Sequence, residues 1–182
     1  MSTTLRQALV VFESMFGNTE RIARAVAAGI ERADWKVRVL EVSDAPGAWV
    51  RDQDLLVVGA PTHAFYLSRP NTRADAVRQG AGPGRETIGL REWLAALPPV
   101  TDPPPVAVFD TRVSKVRRLP ANAGAKAAKI LRRRGFRVVG HPVGFLVADV
   151  AGPLLEDEAD RASLWAEGLV RDAAVHTGEL LK

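Results

Sequence analysis

The chain has 182 residues, 47% hydrophobic and 25% charged, with a mean hydropathy near zero, which suits one well-buried soluble domain over 1–182 and is too short for two of ordinary size. The absence of cysteine excludes disulfides, thiolate catalysis, cysteine-ligated zinc and iron–sulfur clusters, so any redox chemistry has to come from a bound cofactor. The net charge of +4 is unevenly spread: Arg112 to Arg137 holds ten of the 25 Lys and Arg residues and no carboxylate, leaving 15 cations against 21 Asp and Glu elsewhere.

Taken in order, Ala8 to Phe12 is a short continuous apolar run, the pattern of a strand buried on both faces. It stops at Ser14-Met15-Phe16-Gly17-Asn18-Thr19, after which Ile22, Ala23, Val26, Ala27 and Ile30 form a helical stripe. A strand, a tight turn and a helix start place several unpartnered backbone N–H groups together, and an anion fits there. The Ser14 and Thr19 hydroxyls and the Asn18 amide add donors, while Gly17 permits a positive φ. No Lys or Arg lies between Glu13 and Glu20, which separates this stretch from the lysine-bearing P-loop. The plainer alternative is a turn capped by Asn18, with no ligand.

Trp35 to Val42 alternates apolar and polar residues, as an outer strand does, and Ser43 to Gly47 turns the chain. Leu55 to Gly59 is a second buried strand, and its carboxyl end leads into Ala60-Pro61-Thr62-His63-Ala64-Phe65-Tyr66. A helix is expected over Arg69 to Gln79, broken by Gly80, Gly82, Pro83 and Gly84. Leu90, Trp93, Leu94 and Leu97 resume helical spacing until Pro98 and Pro99, with Trp93 as a core anchor. Val106 to Phe109 is a third buried strand, followed by Asp110, Thr111 and Arg112. A helix from about Asn122 ends in Arg-Arg-Arg-Gly, with Gly135 at its C′ position. Phe136–Val139 and Gly144–Ala148 read as one strand interrupted at His141 and Pro142, and Ala162, Trp165, Ala166, Leu169, Val170 and Ala173 as a final helix.

Five strands alternating with helices imply an α/β fold, a parallel sheet covered on both faces. Ligands of such sheets bind outside the carboxyl ends of the strands where strand order reverses. That rule selects Ser14 to Thr19, Pro61 to Tyr66, and Asp110 to about Val113.

The residues Glu13–Glu20, Gly59-Ala60-Pro61-Thr62-His63 and Phe109-Asp110-Thr111-Arg112, in that order and spacing, resemble the flavodoxin family over nearly the whole chain. The first segment is similar to the phosphate-loop pattern S/T-x-T-G-N-T, with Phe16 in place of the usual Thr. The resemblance implies a three-layer α/β/α sandwich, a five-stranded parallel sheet of order 2-1-3-4-5 and the short-chain type. It also implies FMN, with its phosphate on Ser14, Met15, Phe16, Gly17, Asn18 and Thr19. The ring would lie between Pro61, Thr62, His63, Ala64 and Phe65 on one side and Asp110, Thr111 and Arg112 on the other, with Asp110 a candidate acceptor for a ring N–H.

Two departures bear on function. The second loop has His63 where these carriers usually place Trp, and Val113 stands where a Tyr is common, so a less extreme flavin potential is expected. His63 is expected near the ring, offering positive charge or a donor, whereas His141 and His176 are isolated and structural. The basic segment 112–137 is read either as a solvated helix face or as a rim that steers an acidic redox partner or an anionic substrate. Nucleic acid is disfavoured because no recognition motif accompanies the charge. With no signal-peptide pattern or long apolar span, the chain reads as cytoplasmic. The leading expectation is an electron-transfer flavoprotein. The alternatives are an FMN-dependent oxidoreductase acting on a quinone or porphyrinogen, and a flavodoxin-like module that has lost flavin binding.

Overall fold

The computed structural model describes residues 5–63, 65–118 and 122–179, with side chains as far as 171. Ala64 lies outside the described residues, and so does the His176 side chain. Five parallel strands, β1 (Gln7–Phe12), β2 (Lys36–Glu41), β3 (Leu55–Pro61), β4 (Val106–Val113) and β5 (Val143–Val147), form a sheet of order β2-β1-β3-β4-β5. The three central strands are almost wholly buried, as their unbroken apolar runs require, while β2 at the edge keeps exposed Lys36 and Arg38.

Period-2 alternation divides the core in two. Ala8, Val10 and Phe12 of β1 face α1 (Asn18–Glu31) and α5 (Glu158–Glu179), meeting Ile22, Val26, Ala162 and Ala166. Leu9 and Val11 face the other layer, where α3 (Leu90–Ala96) and α4 (Ala123–Arg133) contribute Leu90, Trp93, Leu94, Ala127 and Leu131. Trp93 is the core anchor its spacing implies: it is 4% exposed, and its indole N–H donates to the Ala45 carbonyl at 2.8 Å. On the α1/α5 side, Phe109, Phe145 and Trp165 pack edge to face at centroid distances of 6.0–6.3 Å. Among the described residues, no helix is long and apolar enough to cross a membrane.

Two element boundaries differ from the sequence expectation. β4 runs on through Asp110, Thr111 and Arg112, because Asp110 and Thr111 pair with Ala60 and Pro61 on one side and all three pair with Gly144 to Leu146 on the other. Neighbouring strands that supply a full ladder keep a polar tripeptide extended. Conversely, Phe136–Val139 is not the first half of β5. Its backbone exchanges bonds with Val106, the start of β4, through Arg137 O and Val139 N, and β5 proper begins at Val143.

The connection from β3 to β4 contains α2 (Pro70–Arg78) and α3 and folds back under the end of β1. Ala76 and Ala81 pack on Met15. Arg73, 1% exposed, donates to Ser68 Oγ at 2.9 Å, Glu92 Oε2 at 3.1 Å and the Glu86 carbonyl at 3.1 Å. Glu13, also buried, accepts the Leu90 N–H at 2.8 Å, which ties the entrance of the first loop to the start of α3.

Candidate functional site

The first loop is built from the backbone outward. Gly17 adopts φ 86° at the N-cap of α1, a left-handed conformation costly for other residues, and among the described residues beyond its chain neighbours no atom lies within 4 Å of where its Cβ would stand. Ser14 is 1% exposed, and its Oγ accepts the N–H groups of Gly17 at 3.1 Å and Glu20 at 3.3 Å. Both acceptor sites of that hydroxyl are thereby used and its proton remains to donate. Asn18 does not cap the helix. It is the first helical residue, and its Nδ2 donates to Ala151 O at 3.2 Å, joining the loop to the turn after β5. Thr19 Oγ1 lies 2.8 Å from Thr111 Oγ1 and so joins the loop to β4. The backbone N–H groups of Asn18 and Thr19, in the first turn of α1, have no acceptor among the described residues.

Loop one, the end of β3 and the end of β4 open onto one cleft of about 150 Å³. It is lined by Met15, Phe16, Asn18 and Thr19 from the first, Pro61, Thr62 and His63 from the second, and Thr111, Arg112 and Val113 from the third. Val147, at the end of β5, and Val150, in the turn after it, complete the wall. Sequence reasoning misses these two: Val147 reads only as part of an apolar strand, and an isolated Val carries no site signal.

The candidate residues separate by where alternation sends them. Asp110 and Arg112, two apart on a strand, share a face, and Arg112 grips the carboxylate with Nε at 2.6 Å and Nη2 at 2.5 Å. Asp110 also accepts Gly124 N–H at 3.2 Å and Thr62 Oγ1 at 3.3 Å, and it is 0% exposed. Its carboxylate oxygens are thereby occupied within the protein, and Asp110 is not among the residues that line the cleft. It fixes β3, β4 and the start of α4 beneath the cleft. Burial pushes the Asp110 carboxyl up, and the Arg112 guanidinium opposes that. Thr111 faces the other layer and meets Thr19.

His63 lines the cleft, but not as a cation. Burial and the nearby Arg73 charge lower its pKa to about 4, so the imidazole is neutral near pH 7, with one donor and one acceptor. Of the two roles expected of His63, a positive charge or a donor, this environment favours the donor. His63 and Tyr66 exchange backbone bonds of 2.9 Å across a turn with Phe65 at φ 68°, and this places Phe65 outside the cleft. Phe65 and Tyr66, 42% and 45% exposed, instead line a separate groove with Asn122, Ala125, Lys126 and Lys129 of the basic segment.

An all-parallel sheet of order 2-1-3-4-5, helices on both faces and a cleft at the carboxyl ends of β1, β3 and β4 define a flavodoxin-like α/β protein. The flavodoxin family model matches residues 10–67, the segment from the second half of β1 through the first loop, α1 and β2 to the end of β3 and the loop beyond it. Flavodoxin 2 from Bacillus cereus is 18% identical and superposes with a TM-score of 0.67 over 91% of this chain and 99% of that one. A flavodoxin from the domain Archaea is 18% identical, with a TM-score of 0.64 over 92% and 99%. Rubredoxin oxygen:oxidoreductase from Desulfovibrio gigas is 14% identical, with a TM-score of 0.61 over 93% of this chain and 36% of its own. No curated protein matches the sequence.

The residues present fit a flavin mononucleotide on two counts. The N–H groups of Asn18 and Thr19 are open to an anion at a helix N-terminus. The rest of the cleft combines apolar walls (Met15, Phe16, Pro61, Val113, Val147, Val150) with a few polar groups, the usual make-up of a cofactor site.

Proposed function

We propose that this protein binds FMN in the cleft and passes electrons to another protein. The observation that carries the reading is the convergence of the first loop, with its two unpartnered helix N–H groups, and the ends of β3 and β4 on one cleft. Bound FMN would supply the electron chemistry. The chain's own residues would position it: Asn18 and Thr19 N–H and the Ser14 hydroxyl toward the phosphate, and Pro61 to His63 and Thr111 to Val113 beside the ring. Among the described residues no Trp or Tyr lines the cleft, which supports a potential less extreme than an aromatic stack gives.

The partner is a protein with an acidic face. This is supported by the basic segment, in which, among the described residues, only Arg112 pairs with a carboxylate. Lys115, Arg117, Arg118, Lys129, Arg132, Arg133 and Arg137 are exposed, and the segment begins at the wall of the cleft. Arg134 is the exception in function: it donates to the carbonyls of Ala95 and Leu97 and staples α4 to α3.

Titration of the purified protein with FMN tests the first half. Quenched FMN fluorescence and a shifted visible spectrum are expected; no change removes the FMN reading. Steady-state assay with NAD(P)H and a quinone tests the second, and sustained turnover would make the protein an oxidoreductase rather than a carrier.

A further inference from the structure

Arg85 lies between α2 and α3, in the long connection from β3 to β4, and nothing in the sequence links it to the first loop. Its Nη1 donates to the Ser14 carbonyl at 2.6 Å. The same guanidinium lies 3.7 Å from Glu20 Oε2 and 3.8 Å from Glu41 Oε1. The side chain is 28% exposed and does not line the cleft; with Glu41, Val42, Ser43 and Thr87 it lines a cavity on another side of the loop.

Two effects follow. A peptide unit is planar, with C=O and N–H pointing opposite ways. Fixing the Ser14 carbonyl on Arg85 therefore turns the Met15 N–H away from Arg85. The second effect is charge. A phosphate on this loop would share its neighbourhood with the carboxylates of Glu20 and Glu41, and residues 13 to 20 contain no cation. Glu20 is held by Arg24 through Oε1 and faces Arg85 through Oε2. Burial pushes the Glu41 carboxyl up, Arg85 opposes this, and the charges of Glu20 and Asp44 add to it. Arg85 thus supplies from behind the loop the positive charge that the loop lacks.

We propose that Arg85 is a positioning residue for the flavin phosphate, orienting the Ser14–Met15 peptide and offsetting the carboxylates around it, and that it makes the site select a phosphorylated flavin over riboflavin. The proposal rests on the FMN reading above.

The test compares affinities for FMN and riboflavin by fluorescence quenching, with urea unfolding of the flavin-free proteins run in parallel. In Arg85→Gln, which retains an N–H donor and loses the charge, FMN affinity is expected to fall about tenfold or more, as for loss of one charge-assisted interaction, with riboflavin affinity nearly unchanged. Arg85→Lys should keep part of the preference. Glu41→Gln, at the end of an edge strand, should raise FMN affinity severalfold and leave riboflavin alone. Parallel losses for both flavins in Arg85→Gln, or no FMN change in Glu41→Gln, would overturn the proposal by reducing Arg85 to a staple. Failure of the unsubstituted protein to bind either flavin is a different result: it removes the FMN reading and this proposal together.

Discussion

His63 and Glu13 flank the first loop and titrate with opposite consequences. The pKa of His63 is depressed from 6.5 to about 4, so its contribution to stability is full above pH 6.5 and is lost as pH falls toward 4, where the unfolded chain takes up a proton that the folded one refuses. The loss is up to about 3 kcal/mol at the low end, less whatever solvent screens at the partly exposed ring. In His63→Gln, urea midpoints should fall less between pH 7 and pH 4.5 than in the unsubstituted protein. Glu13 behaves the other way. Burial raises its pKa above 4.5, so folding is favoured below that pH and loses this contribution as pH rises through the raised value. Glu13→Gln should therefore gain on the unsubstituted protein as pH increases above 4.5, with an unchanged difference counting against a buried titrating carboxyl. Arg112→Leu tests the third buried group: it strands Asp110 without its cation and is expected to cost about 3–5 kcal/mol in urea unfolding.

Between elements, steric fit competes with intrinsic propensity. Gly29 sits in α1 where α5 crosses closely, and a Cβ there would stand 2.2 Å from the Ser163 carbonyl oxygen, a backbone atom that cannot step aside. Helix propensity favours Ala over Gly by about 1 kcal/mol. Overpacking of a close helix contact costs about 1–3 kcal/mol, so Gly29→Ala is expected to lower the unfolding midpoint rather than raise it. α4 follows the sequence signals more directly. The Asn122 side chain accepts the Ala125 N–H at 2.8 Å, and the Phe136 N–H returns to Leu131 O past Gly135. Asn122→Ala should cost about 1 kcal/mol, measured by thermal or urea unfolding.

Over the whole molecule, charge is segregated. The basic segment runs from the wall of the cleft along α4, and the remainder of the chain is net acidic. If that segment governs encounter, oxidation of the reduced FMN-loaded protein by ferricyanide, a small trianion, should slow as salt rises toward 1 M, where the Debye length shrinks to about 3 Å. Oxidation by a neutral quinone should not. Lys126→Glu with Lys129→Glu, beside exposed Phe65 and Tyr66, should weaken the salt dependence without changing the flavin spectrum. Equal salt dependence for both oxidants would return the segment to a solvated helix face.

The sequence by itself determined the central buried strands, the first loop, the helical stripes and hence the parallel sheet. These signals are local: an unbroken apolar run, a Gly-Asn turn and a 3.6-residue period each report the environment of their own segment. Tertiary structure decided what depends on partners distant in the chain. Asp110 to Arg112 are extended because β3 and β5 pair with them, His63 is neutral because it is buried near Arg73, and Arg85 reaches Ser14 across 71 positions. A hydrogen bond or a desolvated charge is a property of two or more segments brought together, and no periodicity in either one records it.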